Sequence, residues 1–468
     1  MMAPGADREF SRKAVMKSHH HLQPRALLRS AALGVFMLTL TGYAALGSTQ
    51  GLEGVSGPYF GDAVSVAEYG ALIGSPGGAG GKSPGLVYVF ERASDGWTQR
   101  AALSAEAGKP GNEFGSAVAF AETIALVGAW GTDGVAPVSG SAYVFERGPT
   151  GWGQTAVLIN PDAGERHILG KSVALDRSTA VVGAPGVNRR LRSDTSKSAP
   201  AWSGAVYVWS RAETGWRYQA RITPDSQPLP SGPAAQPRPY HLWADFGSKV
   251  AIHADILVVG ARAGAVNLLD GSTTPGTVYV FRRVTGTWKQ EAKLEQQKEF
   301  FGSSIAVSNG TVAVTSSGSV FVFAHADGDW RLQARVEPHV PGEDSGFKYS
   351  GPVSIDGNLM VVGAPRYKKR KGAAFVFERV GSDWKQAAMI TAEDAQSDSL
   401  SGRSVGDQFG GSVSIHGADV VVGASFHDSE GPNYGAAYVF RREGSRWLQT
   451  SKLVARIPAG YPTGAKGR

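Results

Sequence analysis

The sequence predicts an all-β protein: a seven-bladed β-propeller of four-stranded antiparallel blades. Three observations predict it. One phrase recurs seven times along the 468 residues, and a long fixed period means one supersecondary unit stacked many times. Each copy holds four short β-rich runs separated by turn residues. The runs grow more polar from the second to the fourth, so their inner ends belong near an axis and their outer ends in water, which is a propeller's radial order.

The copies run as follows. The first reads Phe60-Gly61, then an apolar run to Gly74-Ser75-Pro76, then Val87-Tyr88-Val89-Phe90, then Trp97. The second has Phe114-Gly115, Gly128-Ala129-Trp130, Ala142-Tyr143-Val144-Phe145 and Trp152. The third has Leu169-Gly170 and Gly183-Ala184-Pro185; the fourth has Phe246-Gly247 and Gly260-Ala261-Arg262. The fifth opens on Phe301-Gly302 but carries Thr315-Ser316-Ser317 where Gly-Ala-Pro is expected. The sixth keeps Gly363-Ala364-Pro365 and replaces its Phe-Gly start with Tyr349-Ser350-Gly351. The seventh runs from Phe409-Gly410 through Gly423-Ala424-Ser425 to Trp447.

Within a copy, the first strand follows Phe-Gly, as in Ala117-Val118-Ala119-Phe120. A tight turn follows, and Asn309-Gly310 and Asp356-Gly357 are pairs that hairpins favour. The second strand is apolar on both faces, as in Leu359-Met360-Val361-Val362, and is therefore wedged between two sheets. In the third, Tyr88 and Phe90 point one way and Val87 and Val89 the other. In the fourth, strict alternation puts Trp288, Gln290, Ala292 and Leu294 on one face and the charges on the other, as befits a half-exposed outer strand. The seven outer tryptophans, one per copy, read as packing. First and last copies are both complete, so the ring is expected to close by packing of blade seven on blade one, without strand exchange.

Residues 1–47 are set apart as a helical signal peptide or membrane anchor. Basic residues up to Arg29 precede an apolar stretch, Ala31 to Leu46, with small residues around Ala44 and Gly47 for cleavage. About sixteen residues is short of the roughly 20 that span a bilayer. Export follows, to a secreted, periplasmic or cell-surface location, with membrane attachment if the segment stays uncleaved. The propeller takes residues 48–457, and 458–468 are expected to be a disordered tail. Of the net charge of +7, +4 lies in residues 1–47, so the rest is near balance and nucleic acid is not the expected partner. There is no cysteine, which excludes disulfides, thiolate metal sites and cysteine nucleophiles.

The recurring Phe-Gly, Gly-Ala-Pro and Tyr-Val-Phe triplet resembles the FG-GAP repeat family, whose best-known members form the head of integrin α subunits. The resemblance covers about residues 58–457. It implies a seven-bladed propeller used for adhesion or protein recognition. It also implies calcium loops of the Asp-x-Asp-x-Asp-Gly kind, and here the sequence departs. The corresponding turns, such as Asp176-Arg177-Ser178 and Ile355-Asp356-Gly357, carry no more than one acid each, too few for a cation that takes six to eight oxygens. No metal site or cofactor is therefore assigned; Asp428, Glu430 and Asn433 in the last copy are a lesser calcium candidate.

Chain direction places every long insertion on one face: 186–203, 224–245, 263–275, 338–348, 366–371 and 392–408. Loops gathered on a rigid scaffold are where binding usually resides. Trp130, Trp202 and Trp243 fall there, with Arg189, Arg190, Arg192, Lys197, Arg238 and 368–371, an aromatic and basic enrichment that recognition surfaces show. The candidate binding residues are Trp202, Trp243, Tyr240 and Arg190, from the two longest insertions.

No catalytic motif appears: no Gly-x-Ser-x-Gly, no His-Glu-x-x-His, no phosphate loop. Ser94-Asp95-Gly96-Trp97 is too compressed for a sialidase box. The acid pairs Glu343-Asp344 and Glu393-Asp394 read as solvated loop acids. The expected function is a non-catalytic, exported module that binds an extracellular protein or glycan through the long-loop face. Two other readings stand beside it: a polysaccharide hydrolase or lyase at the axial mouth, and calcium-supported carbohydrate binding.

Overall fold

The computed structural model describes residues 59–77, 83–94, 96–162, 164–187, 204–225, 245–261, 276–347, 350–397, 406–428 and 434–456. The expected N-terminal segment and the expected tail lie outside them. The fold is the all-β one expected: seven four-stranded antiparallel sheets, each taken from four consecutive strands. Blade one comprises Ala63–Ala67, Gly70–Ser75, Leu86–Ala93 and Gly96–Leu103. Blade seven comprises Ser412–His416, Asp419–Ala424, Ala436–Glu443 and Arg446–Leu453. First strands of neighbouring blades lie against each other all the way round, so they line the axis. Second strands are buried along their length, and fourth strands alternate buried with exposed.

Buried apolar side chains gather in seven clusters, one at each seam between neighbouring blades. The outer tryptophans pack into these seams, each against the preceding blade. One expectation for the fourth strand is overturned. Trp288 packs into the seam with blade three, but Ala292 and Leu294 face blade five. The cause is a β-bulge: Gln290 pairs with Phe281 and Ala292 with Val280, leaving Glu291 unpaired. An extra residue turns the strand over. The same bulge recurs at the same place in all seven blades.

The two repeat motifs are halves of one contact. The Gly of Gly-Ala-Pro in one blade faces the Phe-Gly glycine carbonyl of the next: Gly74 faces Gly115, Gly128 faces Gly170, Gly183 faces Gly247 and Gly423 faces Gly61. A Cβ on any of these would sit well inside van der Waals contact with that oxygen. The irregular copies follow from this. Blade five carries Thr315 at the position, so no carbonyl can approach, and the start of blade six is rebuilt. There Ser350 N–H bonds to Phe347 O, and Gly363 N–H bonds to Pro352 O. The buried aromatic ahead of that blade's first strand is Phe347, outside the Tyr349-Ser350-Gly351 stretch that stands in for Phe-Gly.

The Phe of Phe-Gly plugs its own blade. Phe60 meets Tyr88 and Phe90 edge-on at 5.4 and 6.1 Å, and the arrangement repeats in blades two, four, five and seven. In blade three the plug shrinks to Leu169 while the third-strand Phe becomes Trp209, both in one cluster.

The ring closes between blades seven and one without strand exchange. Ser412 Oγ donates to Gly61 O (2.7 Å), Val66 N–H to Ser414 Oγ (3.0 Å), and Phe60 bridges Gly435. Gln99 latches the end of the last blade, donating to Arg456 O and accepting from its N–H, both 2.9 Å.

Candidate ligand-binding face

The two ends of the propeller differ in kind. At one end all fourteen hairpin turns, from Glu68-Tyr69 in blade one to Gly444-Ser445 in blade seven, are two residues long. Asn309 and Gly310 are both left-handed there (φ 46° and 71°), as the sequence anticipates; in blade six the pair is Gly357-Asn358, with Asp356 still in the strand. Near this end, ion pairs cross several seams. Arg147 reaches Glu91 (3.2 Å), Arg211 reaches Glu146 (2.5 Å) and Arg442 reaches Glu378 (2.9 Å), each from one blade to the one before. Where blade three has Ser210 instead of that Glu, Arg283 turns to Asp255 and Thr179.

The other end carries every long connection. The two longest leave from one place. The insertion after Val187 is closed at its neck, where Gly204 N–H bonds to Val187 O (2.7 Å), and Gly204 is bridged to Phe246, where the link after Asp225 returns. Trp202 lies two residues before Gly204, and Trp243 three before Phe246. Arg190, Trp202, Tyr240 and Trp243 themselves lie outside the described residues. On the outer rim of the same blade junction, an open groove of about 540 Å³ runs between the outer strands of blades three and four, lined by Arg221, Asp225, Trp288 and Gln290 among others.

At the axis, the residues that enter each blade form the rim. Tyr59, Glu113, Ile168, Asp245, Phe300, Ser350 and Gln408 all hold a left-handed φ, between 40° and 69°. Inside them, Asp62 faces Lys171 and Lys249 across the channel, close enough for charge interaction. Asp62 is open to channel water but crowded by protein, and this desolvation raises its carboxyl pKa against the pull of the two lysines. Burial raises Glu113 as well, against the pull of Lys171. Lys171 also lies over the Trp130 ring at 4.5 Å. Among the described residues the mouth thus brings together Asp62, Glu113, Lys171, Lys249 and Trp130.

Two polar networks pin the loop roots. In blade seven, Asp407 accepts from His427 Nδ1–H (2.7 Å), and Lys452 donates to His427 Nε2 (2.8 Å) and to Asp394 (2.6 Å). Tyr438 OH also donates to Asp394 (2.8 Å). Burial alone would raise Asp394, but the Lys452 and Tyr438 donors outweigh it and the pKa falls. His427 and Asp407 side chains are each 4% exposed, too enclosed to reach a substrate as a general base must. Blade three repeats the plan with Tyr207, Asp162 and Arg221. Asp394 and Glu343 are exposed, as the sequence suggests, but each is also tied to partners: Glu343 accepts from Tyr367 OH (2.6 Å) and pairs with Lys368 (3.2 Å). Sequence reasoning misses these groups because their partners come from strands and loops 20 or more residues away.

Burial pushes the Tyr207 phenol up to about 12, helped by Asp162 and opposed by Arg221 and Asn160. The folded state holds this proton more tightly than the unfolded chain, where tyrosine ionises near 10. Its contribution to stability is therefore intact below pH 10 and lost as pH rises through 12. Titration of tyrosinate absorbance should show a late-ionising group that Tyr207→Phe removes.

The turn 366–371 in blade six is the most unusual backbone on this face. Lys368, Lys369 and Arg370 are successive left-handed residues (φ 43°, 54° and 62°). Non-glycine residues resist this by about 1–2 kcal/mol each. The turn is held by Lys371 N–H to Lys368 O (3.1 Å), Gly372 N–H to Tyr367 O (3.0 Å) and Gln408 N–H to Arg370 O (2.8 Å), with Tyr367 buried beneath it. Of the calcium candidates, Asp428 is exposed and Glu430 and Asn433 lie outside the described residues. Among the described residues no three His, Asp or Glu side chains gather as a cation site.

Blade plan and seam together define a repeat propeller in which each motif is completed by its neighbour. The FG-GAP repeat family matches residues 97–145, 152–209 and 384–440, and these three stretches of the propeller are FG-GAP repeats. Each matched stretch begins on an outer-strand tryptophan and ends on the third-strand aromatic of the next blade, so the repeating unit spans a seam. No curated protein matches the chain. Among solved structures, a candidate 6-phosphogluconolactonase from Bacteroides fragilis is similar in shape, with 10% identity and a TM-score of 0.48 over 86% of this chain and 95% of that one.

Proposed function

We propose that this propeller is an exported, non-catalytic recognition module that binds a protein partner through its long-loop face, centred on the junction of blades three and four. One observation carries the reading: the two longest insertions share a root at Gly204 and Phe246, while the opposite face has only two-residue turns. A rigid scaffold with its irregular chain collected at one place is the arrangement of a binding surface. The enclosure of the His427–Asp407 pair weighs against catalysis there.

The test uses residues 48–468 presented to intact cells or their surface extract, with chemical cross-linking to identify contact peptides. Shortening 226–244 to a Gly-Ser link should abolish cross-links while unfolding stays cooperative. Substituting Glu68-Tyr69 and Gly444-Ser445 on the opposite face should leave them unchanged. Cross-links that map to the two-residue turns would contradict the reading.

A second reading, a polysaccharide hydrolase or lyase, draws support from Asp62 and Glu113, two mouth carboxyls whose pKa values are both raised by burial. Turnover of an acidic or neutral polysaccharide that Asp62→Asn eliminates would establish it in place of the first.

A further inference from the structure

We propose that the turn 366–371 of blade six is a preformed docking site for an acidic peptide segment of a partner protein. The inference goes beyond the blade three–four reading and does not depend on it.

Charge is the first ground. The six residues hold Arg366, Lys368, Lys369, Arg370 and Lys371. Residues 48–468 sum to +3, so without the +5 of this turn the rest comes to −2. Elsewhere arginines are largely neutralised by acids across or along the blades. Here Glu343 takes Lys368, and among the described residues no acid pairs with Lys369, Arg370 or Lys371.

Preorganisation is the second. Arg366, Lys368, Lys369 and Arg370 are exposed, yet the backbone beneath them is tied to the entry of blade seven through Gln408 and Phe409. A ligand here orders no loop, and that cost is what usually weakens contacts to basic segments.

Geometry selects the ligand. A left-handed turn rotates successive side chains around its axis, so these cations fan outward and do not converge on a single phosphate or sulfate. An extended chain bearing several carboxylates meets them better. Single-stranded nucleic acid also draws affinity from aromatic faces on which its bases stack. The turn offers none: Tyr367 is 4% exposed, and the neighbouring rim positions are Ser350 and Gln408.

The test is fluorescence anisotropy on the full chain, with a labelled decapeptide of alternating Glu and Gly. Wild type should bind at low salt, with affinity falling as salt rises. K369Q/R370Q/K371Q should weaken binding at least tenfold with unfolding unchanged. K289Q/R331Q/R446Q, with the same charge loss on outer strands, should stay within twofold. No binding by wild type, or equal losses in the two triple variants, would overturn the proposal. A heparin fragment or a single-stranded oligonucleotide that binds more tightly than the peptide and loses binding in K369Q/R370Q/K371Q would also overturn it, in favour of that polyanion.

Discussion

Replacing Phe246 with alanine is expected to cost about 3–5 kcal/mol in urea unfolding. The ring is fully buried, lies 5.4 Å from Tyr279 and 6.1 Å from Phe281, and its backbone bridges Gly204 of the preceding blade. Its removal leaves a cavity between rigid sheets that cannot collapse without moving a whole blade. Blade three gives the converse. Leu169→Phe restores the usual plug but must compete with Trp209, so it should destabilise by about 1–3 kcal/mol. Adding Trp209→Phe should recover most of that loss. If the double variant is no better than the single, the two positions do not share one volume.

A chain ending at Gln396, without blade seven, is expected to lose cooperative unfolding altogether. Two seams are opened by that truncation, one holding Phe409, Val413 and Val422 and the other Phe60, Tyr88 and Phe90. Closure here rests on side-chain packing, the Ser412–Gly61 and Val66–Ser414 hydrogen bonds, the Phe60–Gly435 bridge, the Gln99–Arg456 latch and the Arg92–Asp419 pair, with no shared blade to hold a broken ring together. Calorimetry decides it: a six-blade fragment that melts in one transition near the full-length temperature would show that the seven-to-one seam contributes little.

Much of the architecture is legible in the residues because each blade repeats the same local chemistry. Apolar runs at 359–362 and 420–422, the Asn309-Gly310 turn and the terminal copies each predict what is found. The errors occur where the cause lies between strands. Trp288 to Leu294 alternates without a break, so nothing local announces the bulge at Glu291 that sends the two ends of the strand to different seams. Thr315 and the rebuilt start at Ser350 look like two unrelated lapses, though they are one lost contact between a glycine and a carbonyl. The sixth copy's plug, Phe347, lies outside the repeat frame altogether. For the candidate site, the single-face placement of the insertions follows from chain direction alone. The pairing of Asp394 with Tyr438 and Lys452, and the left-handed turn at Lys368 to Arg370, depend on folded backbone and leave no pattern in the chain.

The claim that Phe-Gly and Gly-Ala-Pro are two halves of one inter-blade contact is tested most directly by a matched pair in blade two. Gly128 and Gly153 are both strand glycines with φ outside the left-handed region. A Cβ at Gly128 collides with the Gly170 carbonyl, and one at Gly153 meets nothing within 4 Å. Equilibrium unfolding should show Gly128→Ala weaker by about 3 kcal/mol and Gly153→Ala within about 0.5 kcal/mol of wild type. Equal stability in the two variants would contradict the account.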